Sequence, residues 1–130
     1  MRKFSVGLVL SLVAVMAFTF TALDAGAADT ITLGFNIPLT GDNPDVGASS
    51  KNAAEMYLKK NPKVTVGGKS YALKFVYDDN EYKAESAVKV STKLITEEGV
   101  LGIIGPQSSS QAVPAGEVAN NYATPMISPW

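Results

Sequence analysis

From Thr30 onward the apolar and polar positions keep changing period, and each change marks an element. "TITLGFNIPLTG" is a near-continuous β-branched and apolar run closed by Thr40-Gly41, the pattern of a strand buried on both faces. "DNPDVGASS" then reads as a polar Gly/Pro loop. "SKNAAEMYLKKNP" sets Ala53, Met56 and Tyr57 on one helical face, with Lys59 and Lys60 in the last turn, where positive charge suits the helix dipole, and Pro62 as a stop. "VTVGGKSYALKFVYDD" holds two β-rich segments joined at Gly67-Gly68, which predicts a hairpin leading into a strand over Tyr71 to Tyr77. Ala84, Ala87, Val88, Ser91, Leu94 and Ile95 recur at helical spacing between Tyr82 and Glu98. Asp79 or Asn80 is placed to cap the start of that helix, and Gly99 to end it. "VLGIIG" is a short apolar strand, "SSSQAVPAGEVANNYA" a helix, and "PMISP" the start of another strand.

The order β-α-(hairpin)β-α-β-α-β predicts an α/β fold, a three-layer αβα arrangement around a parallel sheet. In such sheets ligands bind beyond the carboxyl ends of the strands, where strand order reverses. Ser108, Ser109 and Ser110 lie at one of these ends. A strand that stops at Gly105 and feeds a helix starting near Ser109 leaves main-chain N–H groups without intrahelical partners, a setting that attracts an anion. The serine hydroxyls can donate to a carboxylate, and Pro114, with no N–H, fits near the helix start. The same serines can equally be helix caps, the commoner use of serine at this position. GxxxxGK[ST] and GxGxxG are both missing, which argues against a phosphate loop, and there is neither a GxSxG elbow nor a histidine to activate a serine nucleophile.

Composition adds a compartment. Of 130 residues, 46% are hydrophobic and 18% charged, as in an ordinary globular domain. Ahead of that domain, Arg2 and Lys3 precede an uncharged run from Phe4 to Leu23, followed by Ala25-Gly26-Ala27, a small-x-small cleavage pattern. Residues 1–27 therefore read as a secretory signal, and 28–130 as the exported part. The alternative is a membrane anchor, since the run approaches the roughly 20 residues of a span. Its glycine, serine and threonine interruptions and the adjacent cleavage site favour processing. No cysteine is available for lipidation or a disulfide, and with no histidine either, zinc sites of those ligands are excluded. Cleavage would leave 9 of the 11 basic and 11 of the 12 acidic side chains, a net charge of −2. No Lys/Arg cluster suggests nucleic acid as a partner.

Taken together, "ITLGFNIPLTG", "YALKFVYDDN", "VLGIIGPQSSS" and "PMISP", in this order and at these separations, resemble the solute-binding proteins of branched-chain amino acid ABC transporters, the family of the leucine/isoleucine/valine-binding protein. The resemblance covers nearly all of residues 30–130. It implies a type I periplasmic binding protein: a two-lobed, monomeric, periplasmic molecule without a cofactor that closes on an amino acid or related small solute and delivers it to a membrane ABC permease. In that family the serine loop binds the ligand's α-carboxylate, which places the role on Ser109 with Ser110 beside it. A main-chain carbonyl after the next strand meets the α-amino group, which falls on Trp130. The first loop brings a side chain over the ligand near Val46, where relatives often carry an aromatic residue. Relatives bind aliphatic amino acids, aromatic acids, amides and urea, so the ligand stays open.

Family members are far longer than 130 residues. The expectation is a signal followed by an incomplete first lobe, without the second lobe and without tight binding by residues 28–130 alone. Two rival readings stand beside this one: an exported ligand-sensing domain of a receptor, and a hydrolase on a flavodoxin-like sheet. Asp78 and Asp79 look like a carboxylate pair for acid/base or metal chemistry, but the resemblance favours a role in capping and loop structure. Lys59, Lys60 and Lys63 read as a solvated face.

Overall fold

The computed structural model describes residues 29–129; the leader read at 1–27 and Trp130 lie outside the described residues. Strands β1 (Thr30–Ile37), β2 (Lys63–Val66), β3 (Lys69–Asp79), β4 (Gly102–Ile104) and β5 (Met126–Ile127) form one sheet in the order β2-β3-β1-β4-β5. β1 runs parallel to both β3 and β4, and β4 runs parallel to β5. Only the β2–β3 hairpin is antiparallel, and its turn has positive φ at Gly67 and Gly68, as the sequence implies.

The near-continuous apolar character of β1 has a plain cause: both of its faces are covered. Phe35 and Ile37 point to one side, where they pack with Ala54 of helix α1 (Pro44–Lys60), flanked by Phe75, Tyr77 and Ile104. On the other side Val90 and Leu94 of helix α2 (Ala84–Thr96) pack with Val100 and Ile103, flanked by Val76 and Met126. Helix α3 (Ser109–Asn121) lies against α2. Full burial of side chains such as Ile37, Leu94 and Ile103 stabilises the fold by roughly 2 kcal/mol apiece. The order of elements thus yields the expected α/β layers, with helices on both faces of a mostly parallel sheet.

Three details depart from the expectation. First, α1 begins at Pro44, inside the stretch read as a loop, with Pro44 in the first turn and Asp45 as a first-turn acid. Gly47 sits there because the chain presses on the end of β1; a Cβ at this residue would lie 1.8 Å from the Pro38 carbonyl oxygen. Second, the α1 face differs from the one predicted. Met56 is 64% and Tyr57 57% exposed, Ala53 is exposed, and the buried residues are Gly47 and Ala54. Ala53 and Tyr57 do face the sheet, but across an open apolar groove of about 370 Å³ bounded also by Leu33, Phe35, Ile37 and Phe75. Third, Pro114 lies within α3 rather than in its first turn, so the Ser110 carbonyl has no N–H to accept four residues on.

A polar cluster interrupts the α2 side of the core. Asn36, fully buried in β1, donates from Nδ2 to the Ala87 carbonyl (2.8 Å) and to Ser91 Oγ (2.9 Å), and its Oδ1 accepts from Asn80 Nδ2 (2.8 Å). Ser91 belongs to the apolar stripe of α2 by position, and this bond is why a hydroxyl is tolerated there. The cluster ties β1, the end of β3 and α2 together beneath the loops that follow them.

Candidate functional site

β1 is the point at which the chain reverses direction across the sheet. The crossover through α1 leads to β3 on one side, and the crossover through α2 leads back past β1 to β4 on the other. The loops leaving β1 and β4 therefore diverge toward opposite faces and open a crevice between them, the place where open α/β sheets bind ligands. A cavity of about 410 Å³ occupies it, lined by Asn43, Val46, Tyr82, Gln107, Ser108 and Ser109.

The β4–α3 turn is built tightly. Gly105 has φ +97°, and a Cβ there would lie 2.2 Å from the Asn36 carbonyl oxygen, so only glycine fits. Its N–H donates to the Ile127 carbonyl at 2.8 Å, and Ser128 Oγ donates to the Pro106 carbonyl at 2.7 Å, which fixes the loop against β5. The Gly105-Pro106 peptide is cis.

At the start of α3, Ser108 is the N-cap residue, yet its side chain makes no capping bond. The Gln111 and Ala112 N–H groups both donate to the Ser108 carbonyl, at 3.0 and 2.7 Å. The N–H groups of Ser109 and Ser110 have no acceptor among the described residues. Ser108 Oγ and Ser110 Oγ lie 3.0 Å apart, and Ser109 and Ser110 are exposed. The helix therefore presents two uncommitted donors, several hydroxyls and the positive end of its dipole to the crevice, with no charged side chain lining it. A small anion is the chemical complement of such a surface.

Gln107 forms the floor. It is 5% exposed, and its Nε2 donates to Ser50 Oγ, whose own proton goes to the Val46 carbonyl at 3.0 Å. Because the Ser50 hydroxyl is spent as a donor, it takes the amide's N–H side, and Gln107 Oε1 is left without a partner. A buried acceptor in that state is an observation apart from the helix end, and it lies in the wall of the same cavity.

Of the residues the sequence singles out, Ser108, Ser109 and Val46 meet at this cavity. Ser110 stands one residue away and reaches it only through Ser108, and Trp130 falls outside the described residues. Asn43, Tyr82 and Gln107 were not anticipated. Asp79 and Asn80 do not cap α2, whose N-cap is Lys83, because both side chains are engaged elsewhere. Asp79 Oδ1 accepts from the N–H groups of Leu39 (2.8 Å), Thr40 (3.2 Å) and Glu81 (2.9 Å), and Oδ2 accepts from Thr40 Oγ1 (2.5 Å). Burial pushes this carboxyl up, but the bonds from the Thr40 hydroxyl and the three N–H groups outweigh it and hold it below the usual carboxylate range. Asp78 caps the Asp79 N–H and pairs with Lys93 at 2.7 Å. The two carboxylates thus have structural work, and no group of three or more potential metal ligands occurs among the described residues.

A family model for periplasmic binding proteins matches residues 30–130. Among solved structures, the branched-chain amino acid substrate-binding protein LivJ of Streptococcus pneumoniae, in complex with isoleucine, superposes with a TM-score of 0.67 at 27% identity over 78% of this chain and 29% of its own. A solute-binding protein of Rhodopseudomonas palustris BisB5, in complex with 3,4-dihydroxybenzoic acid, gives 0.69 at 27% identity over 77% and 27%. The leucine-binding protein LivK of Thermotoga maritima gives 0.69 at 21% identity over 76% and 27%, a likeness of fold. The chain spans between 27% and 29% of the length of these relatives.

Proposed function

We propose a function from one premise: the chain belongs to the periplasmic binding protein family. In our reading it is the solute-binding component of an ABC importer, exported to the periplasm behind a cleaved leader, and it binds a small carboxylate rather than transforming it. The ligand is a branched-chain or other amino acid, or a related small acid. The relatives solved with isoleucine and with 3,4-dihydroxybenzoic acid bracket that range. A membrane permease is the partner that receives it.

The observation that carries this reading is the uncapped start of α3. Ser109 and Ser110 keep their N–H groups free, and the Ser108 side chain makes no cap, so the donors remain available to an acid group. Ser109 takes the principal role, with Ser108 and Ser110 beside it, and Val46 walls the cavity from the α1 side. Trp130 is assigned the carbonyl that meets an α-amino group, on the strength of the resemblance. The opposing wall comes, in this proposal, from a second lobe, whose closure excludes water and strengthens each of these hydrogen bonds. Residues 28–130 alone then hold half a site and bind weakly.

Differential scanning of the full-length protein with isoleucine and with 3,4-dihydroxybenzoate tests the assignment. Ligand at 100 times Kd stabilises by about 2.7 kcal/mol, a shift of several degrees. Ser109→Ala, which deletes the hydroxyl and leaves the N–H, should abolish part of it. An equal shift in parent and variant, or no shift with either solute, refutes the carboxylate site.

A further inference from the structure

Tyr82 belongs to neither of the loops whose sequence points to a binding site, yet it lines the cavity with Ser109 and Val46. Its backbone is unusual. Glu81 and Tyr82 are consecutive non-glycine residues with φ of 53° and 59°, in the left-handed region that L side chains avoid. Two such residues in succession persist only where the surroundings over-determine them. Here they do: the Glu81 N–H is held by Asp79 Oδ1 at 2.9 Å, and the Tyr82 N–H by Asn80 Oδ1 at 2.9 Å. Asn80 is itself locked, fully buried, onto Asn36.

Glycine or asparagine at position 82 would satisfy this backbone at less strain. A phenol ring retained there against its conformational preference needs a reason. Core packing does not supply one, because Tyr82 is only half-buried and belongs to neither apolar cluster. What the strained turn achieves is placement: it holds Tyr82 at the wall of the cavity that Ser109 of α3 and Val46 also line.

We infer that Tyr82 is a specificity-determining residue, the wall against which the non-carboxylate body of the ligand lies. This rests on the reading of Ser109 as the carboxylate site. An aromatic face gains most from a planar partner in offset contact, so the inferred preference is for a small carboxylate with a flat body over one with a branched aliphatic chain.

The test uses the full-length protein, 3,4-dihydroxybenzoate and isoleucine as probes, and the variants Tyr82→Gly, Tyr82→Phe and Ser109→Ala. Titration calorimetry should find 3,4-dihydroxybenzoate bound about tenfold more weakly by Tyr82→Gly, and within about threefold of the parent by Tyr82→Phe. Isoleucine should lose less. The melting temperature of ligand-free Tyr82→Gly should stay within about 3 °C of the parent, because relief of strain offsets the lost contacts. Parent-like affinity of Tyr82→Gly for both probes overturns the inference. So does a loss of affinity in Tyr82→Gly and Tyr82→Phe alike that tracks a fallen melting temperature, which would make the residue structural. Failure of the underlying reading looks different: the parent binds neither probe, or Ser109→Ala binds as the parent does.

Discussion

Replacing Asn36 by leucine tests whether the buried amide cluster holds the loops that border the cavity. Asn36 makes three hydrogen bonds inside the sheet–helix layer, to Ala87, Ser91 and Asn80. At a net contribution of about 1 kcal/mol each, their loss removes about 3 kcal/mol. The Ser91 hydroxyl recovers part by turning to the Ala87 carbonyl four residues back. Asn80 Nδ2 has no such escape; it is fully buried and becomes an orphan at roughly 1–3 kcal/mol. Leucine keeps the γ-branched skeleton of asparagine and gains apolar burial, but its methyl groups are bulkier than the amide atoms and overpack a fully buried site, so the net loss is about 3 kcal/mol or more, a large share of the roughly 5–15 kcal/mol available to a domain. Urea unfolding of the full-length protein should show the midpoint falling by about 1 M or more at unchanged m. Asn36→Leu combined with Asn80→Leu removes both partners, so the pair should be less damaging than the sum of the singles by at least about 1 kcal/mol. Additive effects, or a midpoint that moves by less than about 0.3 M, would refute the reasoning.

Gly105→Ala should destabilise the protein by several kcal/mol, measurable as a lower urea midpoint, since its Cβ meets the Asn36 carbonyl oxygen and its φ of +97° is closed to alanine. Asp79 supports the loops only when ionised: its folded pKa lies below the unfolded one, so its contribution is complete above the unfolded value, near 3.8, and is lost as pH falls through the folded value. Asp79→Asn should therefore flatten the pH dependence of the urea midpoint below about pH 4, and an unchanged acid limb would show that the four bonds to Asp79 do not discriminate charge.

The strands, the hairpin and the serine turn were legible because each is encoded locally. Gly67-Gly68 supplies a turn that only positive φ allows, and Gly99, at φ 60°, turns the chain after α2 has ended at Thr96 with Glu97 as its C-cap, so that the Val100 N–H can donate back to the Leu94 carbonyl. The beginning of α1 was not legible, because Pro44 and Gly47 punctuate loops as readily as they open helices, and what licenses Gly47 is a carbonyl nine residues earlier in the chain. The apolar face of α1 differs for a related reason. Ala53 and Tyr57 turn toward the sheet across a groove that the helix does not fill, whereas Met56 is exposed away from that groove and the buried position is Ala54. Tyr82 and Gln107 escaped notice because nothing in their neighbours announces a site. They reach the cavity only once β3 and β4 flank β1.

The two asparagines show how fold and site are joined. An all-apolar interior between β1 and α2 would pack at no risk of an orphaned donor, so burying Asn36 and Asn80 in full is a choice against stability unless the amides do something apolar side chains cannot. They give direction. Asn36 fixes Asn80, Asn80 Oδ1 fixes the Tyr82 N–H, and the Asn36 carbonyl sets the approach of Gly105 from the adjoining strand. One residue in the central strand thereby sets the register between the loop that carries Tyr82 and the turn that carries Ser109. Under the proposed function, the groups that meet the ligand have a spacing decided in the core, so a substitution at Asn36 should alter affinity for a small acid through geometry before it unfolds the protein.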